Sequence, residues 1–231
     1  MLASENEFWE NSVEPYIETL GANAAAAKKS LISADTEKKN AALKRIAEAL
    51  IAHSSEIIEA NAADLKAARE NGMSLSMQDR LMLNEDRIKG ISDAVSELIK
   101  LEDPIGRVDS GSVRPNGLRI TKVRVPMGVI GMIYESRPNV TADAATLCLK
   151  TGNAVILRGG KEAYNSNKCI CSIMRDAVEE AGFPKDIIQF VDDTTREVTT
   201  ELMQCNKYLD LLIPRGAETY VSELRAFFHK L

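Results

Sequence analysis

Apolar residues recur every three to four positions through the first hundred residues, then condense into short continuous runs separated by helix-length segments. Residues 12 to 101 are therefore expected to be helical. Leu43, Ile46, Ala49 and Leu50 share one face of a helix that Asp35 or Thr36 can cap. A second helix starts at Ser54 or Ser55, runs through Ile57, Ile58 and Leu65, and stops at the Asn71-Gly72 pair. A third, from about Glu85 to Lys100, uses Ile88, Ile91, Ala94, Val95 and Leu98, and the alanine-rich tract from Ala22 to Ala27 is a strong helix former. These faces supply packing rather than chemistry.

Between Asp103 and Lys122 the pattern breaks, because Gly106, Gly111, Pro115 and Gly117 interrupt helices. Leu118 to Val125 then alternates apolar and basic side chains, as an exposed strand does. Val129, Ile130, Met132 and Ile133 run continuously around Gly131, which predicts a strand covered on both faces. Pro138 suits the first turn of the following helix, Val140 to Lys150, which carries Ala144, Ala145, Leu147 and Leu149 and is stopped by Gly152 and Asn153. Ala154 to Leu157 reads as a buried strand. Ile170, Ile173, Met174, Ala177, Val178 and Ala181 mark a helix stopped by Gly182 and Pro184. A strand from Ile187 to Val191 follows, then a helix from Thr195 to about Cys205 with capping-box spacing at Thr194 and Glu197, then a strand from Leu209 to Ile213. Strands alternating with helices make an α/β fold with a parallel sheet the most economical topology.

A chain of 231 residues can bury a sizeable core, as one domain with an appendage or as two small ones. With 29 basic against 34 acidic residues and no long Lys/Arg block, nucleic acid is not expected as the main partner, so an anionic ligand must be met by local cations. The amino terminus lacks the form of a secretory signal and no stretch approaches a membrane span, so the default expectation is a cytoplasmic protein without membrane contact. Cys148, Cys169, Cys171 and Cys205 lack the spacing of a zinc site or a disulfide framework and read as buried free thiols, and His53 and His229 form no metal-binding pattern.

Two polar turns carry the candidate chemistry. Tyr134, Glu135, Ser136, Arg137, Pro138 and Asn139 fall between an apolar strand and a helix, at a strand's carboxyl end, where open α/β sheets bind ligands. Arg158, Gly159, Gly160 and Lys161 end the next strand. Two glycines allow a backbone to approach a ligand closely, and the flanking cations suit an anion such as a phosphate; a solvated strand-to-helix turn has the same composition. A third turn, Pro214, Arg215 and Gly216, ends the last strand.

The runs VPMGVIGMIYESRPNV and LCLKTGNAVILRGGKEA, with Asn165 and Ser166 beyond it, then AGFP at 181 to 184 and LLIPRG at 211 to 216, resemble in order and spacing the gamma-glutamyl phosphate reductase (glutamate-5-semialdehyde dehydrogenase) family of the aldehyde dehydrogenase superfamily. The resemblance covers most of the chain and fades after Gly216. It implies an atypical Rossmann-like, aldehyde dehydrogenase-like parallel sheet without a triple-glycine fingerprint. Residues 1–102 would then be the helical amino-terminal part of the cofactor domain, 103–125 an arm-like strand segment with subunit contacts, and 126–231 an incomplete nucleotide-binding part. It also implies NADPH-dependent reduction of L-glutamate 5-phosphate to L-glutamate 5-semialdehyde in proline biosynthesis. By position, Arg158 and Lys161 fall at the adenosine ribose, where two cations fit a 2′-phosphate; Arg215 and Gly216 fall near the pyrophosphate. Ser136 or Asn139 is the expected oxyanion donor, and Arg137 meets the acyl phosphate or the amino-acid carboxylate or pairs with Glu135. The family's nucleophilic cysteine lies downstream of the IPRG turn, and no cysteine here has a matching motif. The resemblance therefore implies a truncated chain lacking the catalytic domain, inactive as a reductase alone, and a homo-oligomer or a complementing fragment as partner. The last residues, AETYVSELRAFFHKL, depart from the expected continuation.

Overall fold

The computed structural model describes residues 14–216, with side chains from Tyr16 onward; the divergent sequence after Gly216, with His229, lies outside the described residues. Five helices come first: α1 (Glu14–Ile32), α2 (Thr36–Ala52), α3 (Ser54–Glu70), α4 (Leu75–Leu81) and α5 (Glu85–Lys100). Asp35, not Thr36, caps α2, its carboxylate accepting the Lys38 N–H at 2.8 Å. Asn71 ends α3, and Gly72 continues at φ +70°, a left-handed conformation that a side chain would oppose. The seven-residue α4 is too short to leave a periodic signal. Ser74 caps it.

Strands β1 (Val108–Val113) and β2 (Arg119–Val123) pair antiparallel as a separate hairpin in which every residue is exposed. The remaining elements are β3 (Val129–Tyr134), α6 (Asn139–Lys150), β4 (Ala154–Arg158), a 3-10 turn (Lys161–Ala163), α7 (Tyr164–Glu180), β5 (Ile188–Phe190), α8 (Arg196–Gln204) and β6 (Leu211–Arg215). Their order in the sheet is β5-β4-β3-β6, all parallel, as the alternation predicted. One expectation needs correcting: Thr195 rather than Thr194 caps α8, because the helix begins at Arg196, one residue later than expected, which sets the Thr195 hydroxyl oxygen to accept the Val198 N–H.

The main hydrophobic core runs from Ile17 on α1 to Cys205 after α8, and a small second cluster joins Ala68, Leu81 and Ala163. Helix α1 packs on β3, β4 and β5, helices α6 and α7 pack on the sheet and on each other, and α2, α3 and α5 lie over α6 and α7. Central β3 is buried at five of its six positions, which is why its sequence is continuously apolar. The helical segment thus completes the core of the sheet.

Candidate functional site

Because β3, β4 and β6 are parallel neighbours, their carboxyl ends emerge on one edge of the sheet. The register sets Ile133 beside Arg158 and Tyr134 beside Arg215. All the residues singled out by sequence therefore gather there: Ser136, Arg137 and Asn139 after β3, Arg158 to Lys161 after β4, Arg215 and Gly216 after β6. This edge is where ligands bind in open α/β sheets.

The two cations of the second turn have different neighbours. Arg158 donates from Nη1 to the Gly159 carbonyl at 3.0 Å and from Nη2 to the Thr194 carbonyl at 2.7 Å, while its Nε is buried without a partner among the described residues. The planar guanidinium fork braces the loop after β5. Lys161 is exposed and makes no side-chain hydrogen bond or ion pair among the described residues. It lines a groove of about 730 Å³ together with Asp64, Met73, Met77, Glu162, Tyr164 and Asp192. An exposed cation beside a mixed apolar and polar groove is compatible with part of a nicotinamide cofactor.

Gly159 and Gly160 are buried, and their neighbours explain why neither carries a side chain. A Cβ on Gly159 would lie 2.2 Å from Asn167 Nδ2; one on Gly160 would lie 2.9 Å from Glu162 Oε2 and 3.3 Å from the Ser136 backbone nitrogen. The close approach demanded by these glycines is thus to the protein itself. Asn167 closes a buried chain in which the Tyr134 hydroxyl meets Thr141 Oγ1 at 2.7 Å and Thr141 donates to Asn167 Oδ1 at 2.9 Å. Burial, only partly offset by the Thr141 contact, raises the Tyr134 phenol pKa, so the ring stays neutral.

In the first turn, Ser136 donates to Glu162 Oε2 at 3.0 Å and Asn139 donates to Asp143 Oδ2 at 3.0 Å. Each candidate oxyanion donor is thus held by a carboxylate. Burial raises the Asp143 pKa, outweighing the Asn139 contact and the nearby Arg215 charge. Arg137 is exposed and has no side-chain hydrogen bond or ion pair among the described residues.

Sequence reasoning missed the groups that fix this edge. Asp64 of α3 is buried and accepts from the Asn165 N–H and Nδ2 and from the Ser166 N–H and Oγ at 2.6 to 3.1 Å, occupying the first turn of α7. Asn61, one turn earlier, donates to Ser166 Oγ and to the Leu81 carbonyl and accepts the Leu83 N–H. A signal was available, since Ile57, Asn61, Asp64 and Ala68 share the buried face of α3 and two of the four are polar. All four cysteines of the sequence are at least half buried, and burial raises each thiol pKa, those of Cys148 and Cys171 to about 12. None supplies an appreciable thiolate near neutral pH.

Comparison with known proteins adds three findings. Gamma-glutamyl phosphate reductase of Clostridium perfringens is 56% identical over 196 residues, spanning 85% of this chain and 47% of that protein, and the Listeria monocytogenes protein of that name is 50% identical over the same shares. The chain thus spans about half the length of the curated relatives it matches. Crystal structures named gamma-glutamyl phosphate reductase superimpose from Thermotoga maritima (TM-score 0.89, 44% identity, 91% of this chain and 51% of that one) and Saccharomyces cerevisiae (TM-score 0.82, 32% identity, 90% and 53%). The profile described as "Aldehyde dehydrogenase family" matches residues 10–212, well over half the chain, and the parallel sheet with its helical cover is the fold of those structures, so the chain belongs to the aldehyde dehydrogenase family.

Proposed function

We propose that this chain carries the nucleotide-binding half of a gamma-glutamyl phosphate reductase, a protein that reduces L-glutamate 5-phosphate with NADPH to L-glutamate 5-semialdehyde and phosphate in proline biosynthesis. The observation that carries this reading is the convergence of Lys161, Arg137, Asn139 and Arg215 on the carboxyl edge of the sheet, in a chain half-identical to relatives of that name. The bound cofactor would supply hydride. Lys161 would pair with its 2′-phosphate, favouring NADPH over NADH, while Arg158 shapes the loop beside it; Arg215 and Gly216 would lie by the pyrophosphate. Arg137 would take the acyl phosphate or the carboxylate of the substrate, and Asn139 or Ser136 would donate to the oxygen on which charge develops.

The reaction needs a thiolate to displace phosphate, and the four weakly acidic thiols, three of them buried and Cys169 partly so, do not provide one. This observation favours a second reading, in which the chain alone is a nucleotide-binding or oligomerisation module without turnover. The hairpin is the surface proposed for contact with a second copy or a complementing polypeptide. Calorimetry of the purified chain with NADPH and NADH, followed by a reductase assay, tests both readings. Saturable NADPH binding without turnover is the expected result; absence of binding by the folded chain overturns the nucleotide assignment.

A further inference from the structure

The turn after β3 and the 3-10 turn after β4 are in direct contact. Gly160 lies against the backbone of Glu135 and Ser136, close enough that a Cβ would sit 3.3 Å from both Glu135 C and Ser136 N. Glu162 then reaches across, and its Oε2 accepts the Ser136 hydroxyl at 3.0 Å. Glu162 also lines the groove beside Lys161, its neighbour in sequence. The turn that bears both residues is anchored by Ala163, which is fully buried. One carboxylate therefore faces the groove and holds the turn that presents Arg137 and Asn139.

We propose that Glu162 is a positioning residue that couples nucleotide binding at Lys161 to the order of the 135–139 turn, acting through the Ser136 hydroxyl; the inference rests on the nucleotide reading above. A phosphorylated ribose against Lys161 fixes the 161–162 backbone and excludes water from the Glu162 side of the groove. A carboxylate hydrogen bond strengthens as the local dielectric falls. The Ser136 turn is thereby held, and Arg137 and Asn139 take one orientation when the nucleotide is present. Linkage makes the effect reciprocal: a ligand that orders the 135–139 turn raises the affinity of the groove for the nucleotide.

The test is amide hydrogen exchange of the whole chain with and without NADPH, alongside calorimetric affinities, for the wild type, Glu162→Ala, Glu162→Gln and Ser136→Ala. In the wild type NADPH slows exchange at Glu135, Ser136, Arg137 and Asn139, Pro138 having no amide. Glu162→Ala and Ser136→Ala bind NADPH within about threefold of wild type and lose that slowing, whereas Glu162→Gln, whose amide oxygen still accepts the Ser136 hydroxyl, keeps it. Ser136→Ala changes no residue of the 161–163 turn, so loss of the Glu162 side chain itself cannot produce its result. Slowing that persists in both Ala variants overturns the coupling while leaving the nucleotide site standing, and loss of slowing in Glu162→Gln overturns it too. Failure of the folded wild type to bind NADPH removes the nucleotide reading and the coupling with it.

Discussion

Gly159 and Lys161 are two residues apart and are constrained by opposite means. Gly159 has no room: Asn167 Nδ2 occupies the place of its Cβ, and Asn167 is tied to Thr141 in the interior. Gly159→Ala is expected to lower stability by about 1–3 kcal/mol, the usual penalty of overpacking, seen as a reduced urea midpoint. Lys161 is exposed and has no side-chain partner among the described residues, so Lys161→Ala should leave the urea midpoint unchanged while weakening NADPH, but not NADH, by roughly ten- to a hundredfold, the worth of a charge-assisted contact. Carboxylates add a pH signature. Burial would raise the Asp210 pKa, but Lys28 and the Val129 N–H, each at 2.8 Å, outweigh it and hold the value below the ordinary 3.8. Asp143 shifts the other way. A depressed folded pKa contributes stability above the unfolded value, lost as pH falls through the folded one; a raised value contributes stability below 3.8, lost as pH rises through it. Urea titrations from acid to neutral pH should therefore show Asp143→Asn gaining on the wild type as pH rises above about 4, and Asp210→Asn losing ground on the more acid side, as pH rises towards 3.8, with no further change above it.

At the scale of elements, the attachment of α3 to α7 decides whether the second turn is held in place. Asp64 satisfies two backbone N–H groups and two side-chain donors at the start of α7, where the helix dipole also favours its charge. Asp64→Ala would leave the Ser166 N–H and hydroxyl buried without this acceptor, and a loss of about 2–4 kcal/mol is expected, with NADPH binding weakened because Lys161 lies on the turn leading into that helix. A unchanged midpoint in urea would contradict this account. The long helices and the buried strands were legible from periodicity because their apolar faces are set by what they pack against. Helix α4 escaped because seven residues give fewer than two repeats, and β1 escaped because its sequence, VDSGSV, has apolar residues only at its two ends and so lacks the alternation that marks the equally exposed β2.

For the whole molecule, the hairpin and the outer strand are the surfaces that the described core does not cover. Val113, Leu118, Ile120 and Val123 are exposed on a two-stranded sheet, and an isolated pair of strands gains little stability in water. Among the described residues β6 is paired on one side only, leaving its other backbone edge open to association. Self-association through the hairpin predicts that Ile120→Glu shifts the sedimentation profile toward smaller species at equal concentration, without changing the far-ultraviolet circular dichroism. No helix among the described residues is long and apolar enough to cross a membrane.

The amino-acid sequence by itself determined the alternation of strand and helix, and with it the parallel sheet and the carboxyl edge on which Ser136, Arg137, Asn139, Arg158, Lys161 and Arg215 meet, because burial writes its period into the chain. Only the tertiary structure decided how those side chains are used. Arg158 turns to the carbonyls after β5, Lys161 is left to the groove, Ser136 and Asn139 are each held by a carboxylate, and Asp64 ties α3 to the first turn of α7. These partners stand up to 102 residues apart in sequence. A hydrogen bond across such a distance leaves no local periodicity; it forms when packing brings the two groups together and removes the water that would otherwise satisfy them.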